Sequence, residues 1–252
     1  MNGSRDLVTP IYHKTRPDMP WPEQETMFFL LAANGLWRCR NHEFFTSSVP
    51  ARHWPAELYR HEASLELRHP KIPRSLLERI VGFCGTVAAR HGAEAGALFT
   101  WRRSERVMSI VVPRQTATVS RARGGAVYPL SLHYEVPSKL GPNTLLIGDV
   151  HSHAYDGAYS SQQDRRDEEY RPGLHLVIGR LNCEPPEFHC EYVVDGMRFA
   201  VQPESILEGY VARRDDFPER WLRQVTIKTY GAGKDEIVTL KGPSPKIRGD
   251  AL

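Results

Sequence analysis

Residues 147–164 read Ile147-Gly148-Asp149-Val150-His151-Ser152-His153-Ala154-Tyr155-Asp156-Gly157-Ala158-Tyr159-Ser160-Ser161-Gln162-Gln163-Asp164. Their order decides the fold. The run Leu145-Leu146-Ile147 leads into them and reads, with Thr144 to Val150, as a strand buried on both faces. In extended chain, residues two apart point to the same side, so His151 and His153 can reach one ion. Ser161-x-x-Asp164 is the pattern of a helix N-cap with an acidic third residue. A short charged helix over about Ser161 to Tyr170 would therefore start with Asp164 facing the two imidazoles. Two histidines, one carboxylate and an open fourth position form a catalytic zinc arrangement, whereas structural zinc sites are closed by four protein ligands. Each piece alone is commonly structural: histidines two apart occur on ordinary strand ends, and Ser-x-x-Asp caps helices. The joint order of strand, His-x-His, gap, Ser-x-x-Asp and helix points to a metal. The two readings of Ser161 coexist, because a helix start is a rigid way to aim both side chains at an ion.

Upstream, a helix is expected over Pro73 to His91. Pro73 suits its first position. Leu76, Leu77, Ile80, Val81, Cys84, Val87 and Ala88 recur at helical spacing, and Gly92 is a stop signal. Gly82 and Gly85 weaken its middle. Ala95 to Trp101 and Val107 to Val112 read as a hairpin across the polar turn Arg102 to Glu105, and Leu130 to Val136 as a further strand. Downstream, Leu174 to Leu181, Phe188 to Val194 and Met197 to Val201 read as strands, the last two joined by an Asp195-Gly196 turn. Val225 to Tyr230 and Glu236 to Leu240 read as short strands, and the final Gly-Pro-Ser-Pro-Lys segment as a flexible tail. Residues 1 to about 24 form an irregular lead-in. Met27 to Cys39 read as a hairpin about Asn34-Gly35, which Phe44 and Phe45 can continue. The domain reading is a β-rich N-terminal extension over 1–70, a main domain over 71–210, and a C-terminal extension and tail over 211–252. His175 and His133 read as strand residues with satisfied partners.

The chain has 252 residues, 40% hydrophobic and 25% charged, as in soluble globular proteins. The net charge of +3 is small, with both signs interleaved, and does not favour nucleic-acid binding. No apolar run approaches the roughly 18 residues that span a bilayer. Met1 to Pro10 lacks the apolar core of a secretory signal, so the expected location is cytoplasmic. The four cysteines, Cys39, Cys84, Cys183 and Cys190, form no CxxC pair, which fits a reduced compartment. Cys183 and Cys190 near His189 read as core-filling residues rather than a second metal site.

The segment His151-x-His153, seven residues, Ser161-x-x-Asp164 resembles the JAMM motif of the JAB/MPN family of metallopeptidases. That family carries an upstream glutamate at the start of a strand following a long helix, and Glu94, before Ala95-Gly96-Ala97, takes its place. The resemblance covers about residues 72 to 200. It implies an α/β fold, the MPN (JAB) domain: a mixed β-sheet flanked by helices with a cytidine-deaminase-like core. It implies Zn2+ on His151, His153 and Asp164, with Glu94 as general base and Ser161 as donor to the oxyanion. The implied reaction is cleavage of peptide or isopeptide bonds after the C-terminus of a ubiquitin-like protein or in its conjugates. The N-terminal hairpin and the His133-Tyr134 strand resemble bacterial JAB proteins of operons with E1/E2-like partners, or plasmid-borne PRTRC system A proteins. An antiviral defence role would follow from the first of these. Two alternatives stand beside this reading: a catalytically idle MPN scaffold, which usually lacks the ligands, and a RadC-like nucleic-acid-associated protein, which shares the motif. Ala154 stands where the family usually has Pro, a departure expected to loosen the loop. Asp149 is a candidate partner for the ligand histidines, although a surface or strand-end carboxylate is the commoner role. The loop Tyr155 to Ser160 is a candidate wall for an extended substrate tail, which can add to a sheet edge.

Overall fold

The computed structural model of the chain describes residues 9–137, 140–231 and 235–240. The tail expected over 242–246 lies outside them. The chain divides into two compact units, Met1–Glu66 and Leu67–Leu252.

The first unit is a four-stranded sheet. Strands β2 (Met27–Ala32) and β3 (Gly35–His42) form the expected hairpin, and β4 (Phe45–Pro50) continues it antiparallel. The lead-in contributes β1 (Ile11–His13), paired parallel with β2. Phe28 and Cys39 are fully buried, with Tyr12 and Trp21 edge-on to the Phe28 ring. This aromatic cluster supplies the burial that a small sheet needs.

The second unit opens with α1 (Arg74–His91), a continuous helix closed by Gly92 in the left-handed conformation. Its apolar stripe is buried, and Phe83 is buried on a further face, edge-on to Phe217 and Trp221. Segment 211–224 covers that face. Gly82 sits in mid-helix for a packing reason. A Cβ there would lie 1.9 Å from the Arg214 carbonyl oxygen, so only glycine lets the two backbones meet.

A six-stranded mixed sheet follows, in the order β12-β11-β10-β9-β5-β6. Its strands are β5 (Gly96–Arg102), β6 (Val107–Val111), β9 (Thr144–Ser152), β10 (Gly173–Gly179), β11 (Glu187–Val194) and β12 (Met197–Ala200). Strand β9 is central, antiparallel to β5 and parallel to β10. The parallel step is bridged by α2 (Gln162–Glu168). Burial along β9 is only partial, contrary to expectation: Leu145 and Leu146 are exposed, and burial begins at Ile147. The strand buried throughout is β10, which lies between β9 and β11.

A second sheet runs β14-β13-β7-β8, from β7 (Gln115–Arg121), β8 (Val127–Tyr134), β13 (Val225–Gly231) and β14 (Glu236–Thr239). The stretch beyond 211, read as an extension, therefore supplies two strands, and β13 pairs parallel with β7. Buried Gln115 joins the sheets: its side chain accepts from the Gly96 N–H at 2.8 Å and donates to the Gly96 carbonyl at 2.9 Å. Both backbone groups at the head of β5 are thereby satisfied.

Gly148 sets the spacing of the central strands. It pairs with Leu174 across β9 and β10, and a Cβ there would lie 1.9 Å from the Leu174 carbonyl oxygen. Gly148→Ala must push β10 away from the strand that carries His151. Overpacking of this kind costs about 1–3 kcal/mol. A thermal melt should show a clear fall in Tm; an unchanged Tm would mean that the strands separate without cost.

Candidate metal centre

His151 lies near the end of β9 and His153 one residue beyond it. Both are buried and extended, so both rings project to one side. The His153 N–H donates to the Ile178 carbonyl and the Leu181 N–H to the Ala154 carbonyl, each at 2.9 Å. Buried Ala154 takes a φ of 49°. Proline, fixed near −65°, cannot adopt that value. The expected loosening is thus corrected: this turn is tied to β10 and has a conformation that excludes proline. Tyr159 packs edge-on to the His153 ring at 4.8 Å.

Ser161 caps α2 as the motif anticipated. Its hydroxyl oxygen accepts from the Asp164 N–H at 3.2 Å, and Asp164 Oδ2 accepts from the Ser161 N–H at 2.8 Å. The box anchors the Asp164 carboxylate with its oxygens toward the histidines. Because Ser161 Oγ accepts within the box, its own proton remains available for donation.

The three side chains converge. His151 Nε2 and His153 Nε2 are 3.3 Å apart. Asp164 places Oδ1 3.4 Å from His151 Nε2 and Oδ2 3.4 Å from His153 Nε2. One ligand atom from each residue lies within 4.8 Å of the other two. Zinc bonds of about 2.0–2.1 Å at the tetrahedral angle imply ligand separations of about 3.3–3.4 Å. The donor set and its spacing therefore fit zinc. The electrostatics agree: the three acceptors face one point and favour a positive charge there. Burial lowers the His151 pKa, but the adjoining Asp164 outweighs it and lifts the value to about 9. Burial raises the Asp164 pKa, and the two imidazoles hold it well below the usual carboxylate range.

Glu94 lies two residues before β5. Gly96 pairs with His151, while Ala95 and Ser152 exchange N–H to carbonyl and N–H to hydroxyl bonds at 3.0 and 3.2 Å. Continuing that register sets Glu94 across from His153. Burial raises its pKa, and the two imidazoles draw it back. Glu94, His151, His153, Ser161 and Asp164 line one cleft of about 230 Å3. One wall is β8, through Pro129 to Leu132 and Tyr134; Asp156 and Tyr159 of the 155–160 loop also line it.

Asp149 is not the surface carboxylate that was the commoner expectation. It is buried, accepting from His175 Nδ1 at 2.9 Å and pairing with Arg171 at 3.0 Å. His175 has its satisfied partners: Asp149 and Glu168 on Nδ1, and the Arg171 carbonyl on Nε2. Acceptors at both nitrogens require a proton on each. Asp149, Glu168 and His175 form a second group with metal-ligand spacing. Arg171 and Arg198 already neutralise its carboxylates at 3.0 and 2.9 Å, so it is an ionic network. Sequence reasoning passed over Arg171, Glu168, Glu191 and Arg198. No motif marks them, although a glutamate on an otherwise polar helix was a weak signal. Cys190 is buried, but Cys183 is exposed and does not fill the core, contrary to expectation. His133 is an exposed residue of β8. Among the described residues, no helix is long and apolar enough to cross a membrane.

Residues 75–191 match the model of a family described as prokaryotic homologs of the JAB domain. Over this segment the fold is the JAB/MPN fold. Solved structures that resemble the chain include a JAB1/MPN domain protein from Archaeoglobus fulgidus, 22% identical, with a TM-score of 0.33, covering 56% of this chain and 97% of that one. Another, described as a metalloprotease-like zinc site in the proteasome and signalosome, is 21% identical with a TM-score of 0.31, covering 57% of this chain and 99% of its own. A protein from Desulfitobacterium hafniense is 14% identical, with a TM-score of 0.31 and coverage of 52% and 88%. A comparison with curated proteins finds no match.

Proposed function

We propose that this chain is a zinc-dependent peptidase or isopeptidase that cleaves after the C-terminus of a ubiquitin-like protein, in conjugates or in a precursor. The observation that carries this reading is the triangle of His151, His153 and Asp164, its imidazole nitrogens 3.3 Å apart and each 3.4 Å from a different Asp164 oxygen, opening onto a cleft that Glu94 also lines. The match of residues 75–191 to the JAB model supports it.

His151, His153 and Asp164 would hold the zinc, which when bound would supply Lewis acidity to activate water and polarise a carbonyl. Glu94 takes a proton from the attacking water and delivers it to the leaving amine. Its burial brings it nearer the pKa that such a shuttle needs. Ser161 donates a hydrogen bond from its hydroxyl to the oxyanion of the tetrahedral intermediate. The β8 wall of the cleft is an edge strand of its sheet, with outward backbone groups that can pair with an extended chain end. A ubiquitin-like partner, and E1/E2-like proteins acting with it, are proposed from the motif resemblance. An operon of that kind would place the enzyme in conjugate removal or antiviral defence.

The purified chain should carry about one zinc, as a single catalytic site requires. It should cleave a linear ubiquitin-like fusion, lose that activity to chelator and regain it with zinc. Folded protein with no affinity for zinc, or full activity in strong chelator, would overturn the reading.

A further inference from the structure

Helix α2 carries Asp164 and begins at Ser161, yet it has no apolar anchor. Its sequence is Gln-Gln-Asp-Arg-Arg-Asp-Glu, and Glu168 is its one buried residue. Isolated helices shorter than about 12–15 residues are marginal in water, so contacts from outside must set its position. Besides the ligand histidines, His175 meets Glu168 and Arg171 meets the Asp167 carbonyl, and Arg198 on β12 reaches two points of the helix at once. Arg198 Nη1 donates to Glu168 Oε2 at 2.9 Å and to Glu191 Oε2 at 2.8 Å, and Nη2 donates to the Arg165 carbonyl at 3.1 Å. The same Glu191 oxygen accepts from Ser160 Oγ at 2.8 Å, one residue before the cap. A single guanidinium thus reaches the last turn of α2, its middle and, through Glu191, its entry.

We infer that Arg198 is a positioning residue for the metal centre, fixing where Asp164 and Ser161 stand relative to His151 and His153. It contacts none of the three ligands. The inference rests on reading those ligands as a metal site. Arginine is required because its planar fork serves three acceptors in fixed directions, which a lysine ammonium cannot reproduce.

The test titrates cobalt(II) into the full chain and its variants, reading affinity and the visible absorption that marks tetrahedral coordination. Wild type and Arg166→Met, a change at an exposed arginine of α2, should bind one cobalt with intense bands. Arg198→Met should lose about ten- to a hundredfold in affinity, the loss typical of groups that orient ligands, with weaker bands. Arg198→Lys should recover part of both. Glu191→Gln, which removes the charge that Arg198 and Ser160 share and leaves the Arg198 bonds to Glu168 and the Arg165 carbonyl in place, should show a smaller loss and covers the case in which Arg198→Met does not fold. Variants that melt earlier but keep wild-type affinity and spectrum would reduce Arg198 to a structural role and overturn the inference. Wild type that takes no cobalt would instead refute the metal reading on which it rests.

Discussion

His153→Ala is expected to strip the protein of metal and of cleavage together while leaving it folded. His153 Nε2 is one vertex of the triangle, 3.3 Å from His151 and 3.4 Å from Asp164. Without it the centre offers an imidazole and a carboxylate, too few to retain zinc against water and chelators. Groups that only orient a ligand are worth about 10–100-fold in affinity, so removal of a ligand should exceed about a hundredfold. The fold should survive, because His153 lies just beyond β9 and its backbone bond to Ile178 does not involve the ring. Elemental analysis, a competition titration and a thermal melt read the three quantities. Stoichiometric zinc in the variant would place the metal elsewhere.

Glu94→Gln should give the opposite combination: zinc retained, cleavage lost. The amide keeps the shape of the side chain but cannot carry a proton between water and amine. General acid–base catalysis contributes typically about 10²- to 10⁴-fold, and the loss in turnover should fall in that range. Glu94 shares the cleft with the ligands without belonging to the triangle, so metal content should not change. Single-turnover cleavage of a ubiquitin-like fusion, with zinc measured on the same sample, separates this variant from His153→Ala. Wild-type rates for Glu94→Gln would assign the base to another residue.

The centre was legible in the sequence because it is local. Strand periodicity sets His151 and His153 on one side, and the Ser161–Asp164 box is written in four consecutive residues. Helix α1 was legible for the same reason: its stripe of Leu77, Ile80, Val81, Cys84, Val87 and Ala88 is buried as its spacing implied. What escaped was set by partners distant in the chain. Strand β7, Gln-Thr-Ala-Thr-Val-Ser-Arg, has little apolar content of its own and forms because β8 and β13 flank it. Gly82 and Gly85 looked like defects in a helix, and Gly82 marks where the Arg214 backbone crosses. Leu145 and Leu146 looked like core and are exposed. For Asp149 a surface role was the commoner expectation and Glu168 drew no reading, because charge conceals burial unless the partners are known. Their partners are Arg171 and Arg198, from other parts of the chain.

The parallel pairing of β7 with β13 has a consequence for synthesis. Gln115 aligns with Val225, so β7 acquires its second neighbour only after Val225 to Gly231 have left the ribosome. Until then one side of β7 offers unpaired amides and carbonyls, and the core that Ala117 and Val119 join lacks Val225, Ile227, Trp221 and Leu222. Such an open edge invites wrong partners while the chain is still growing. A product that stops near residue 210 would carry His151, His153 and Asp164 and still leave this strand bare, so early termination should yield aggregate rather than a smaller folded domain.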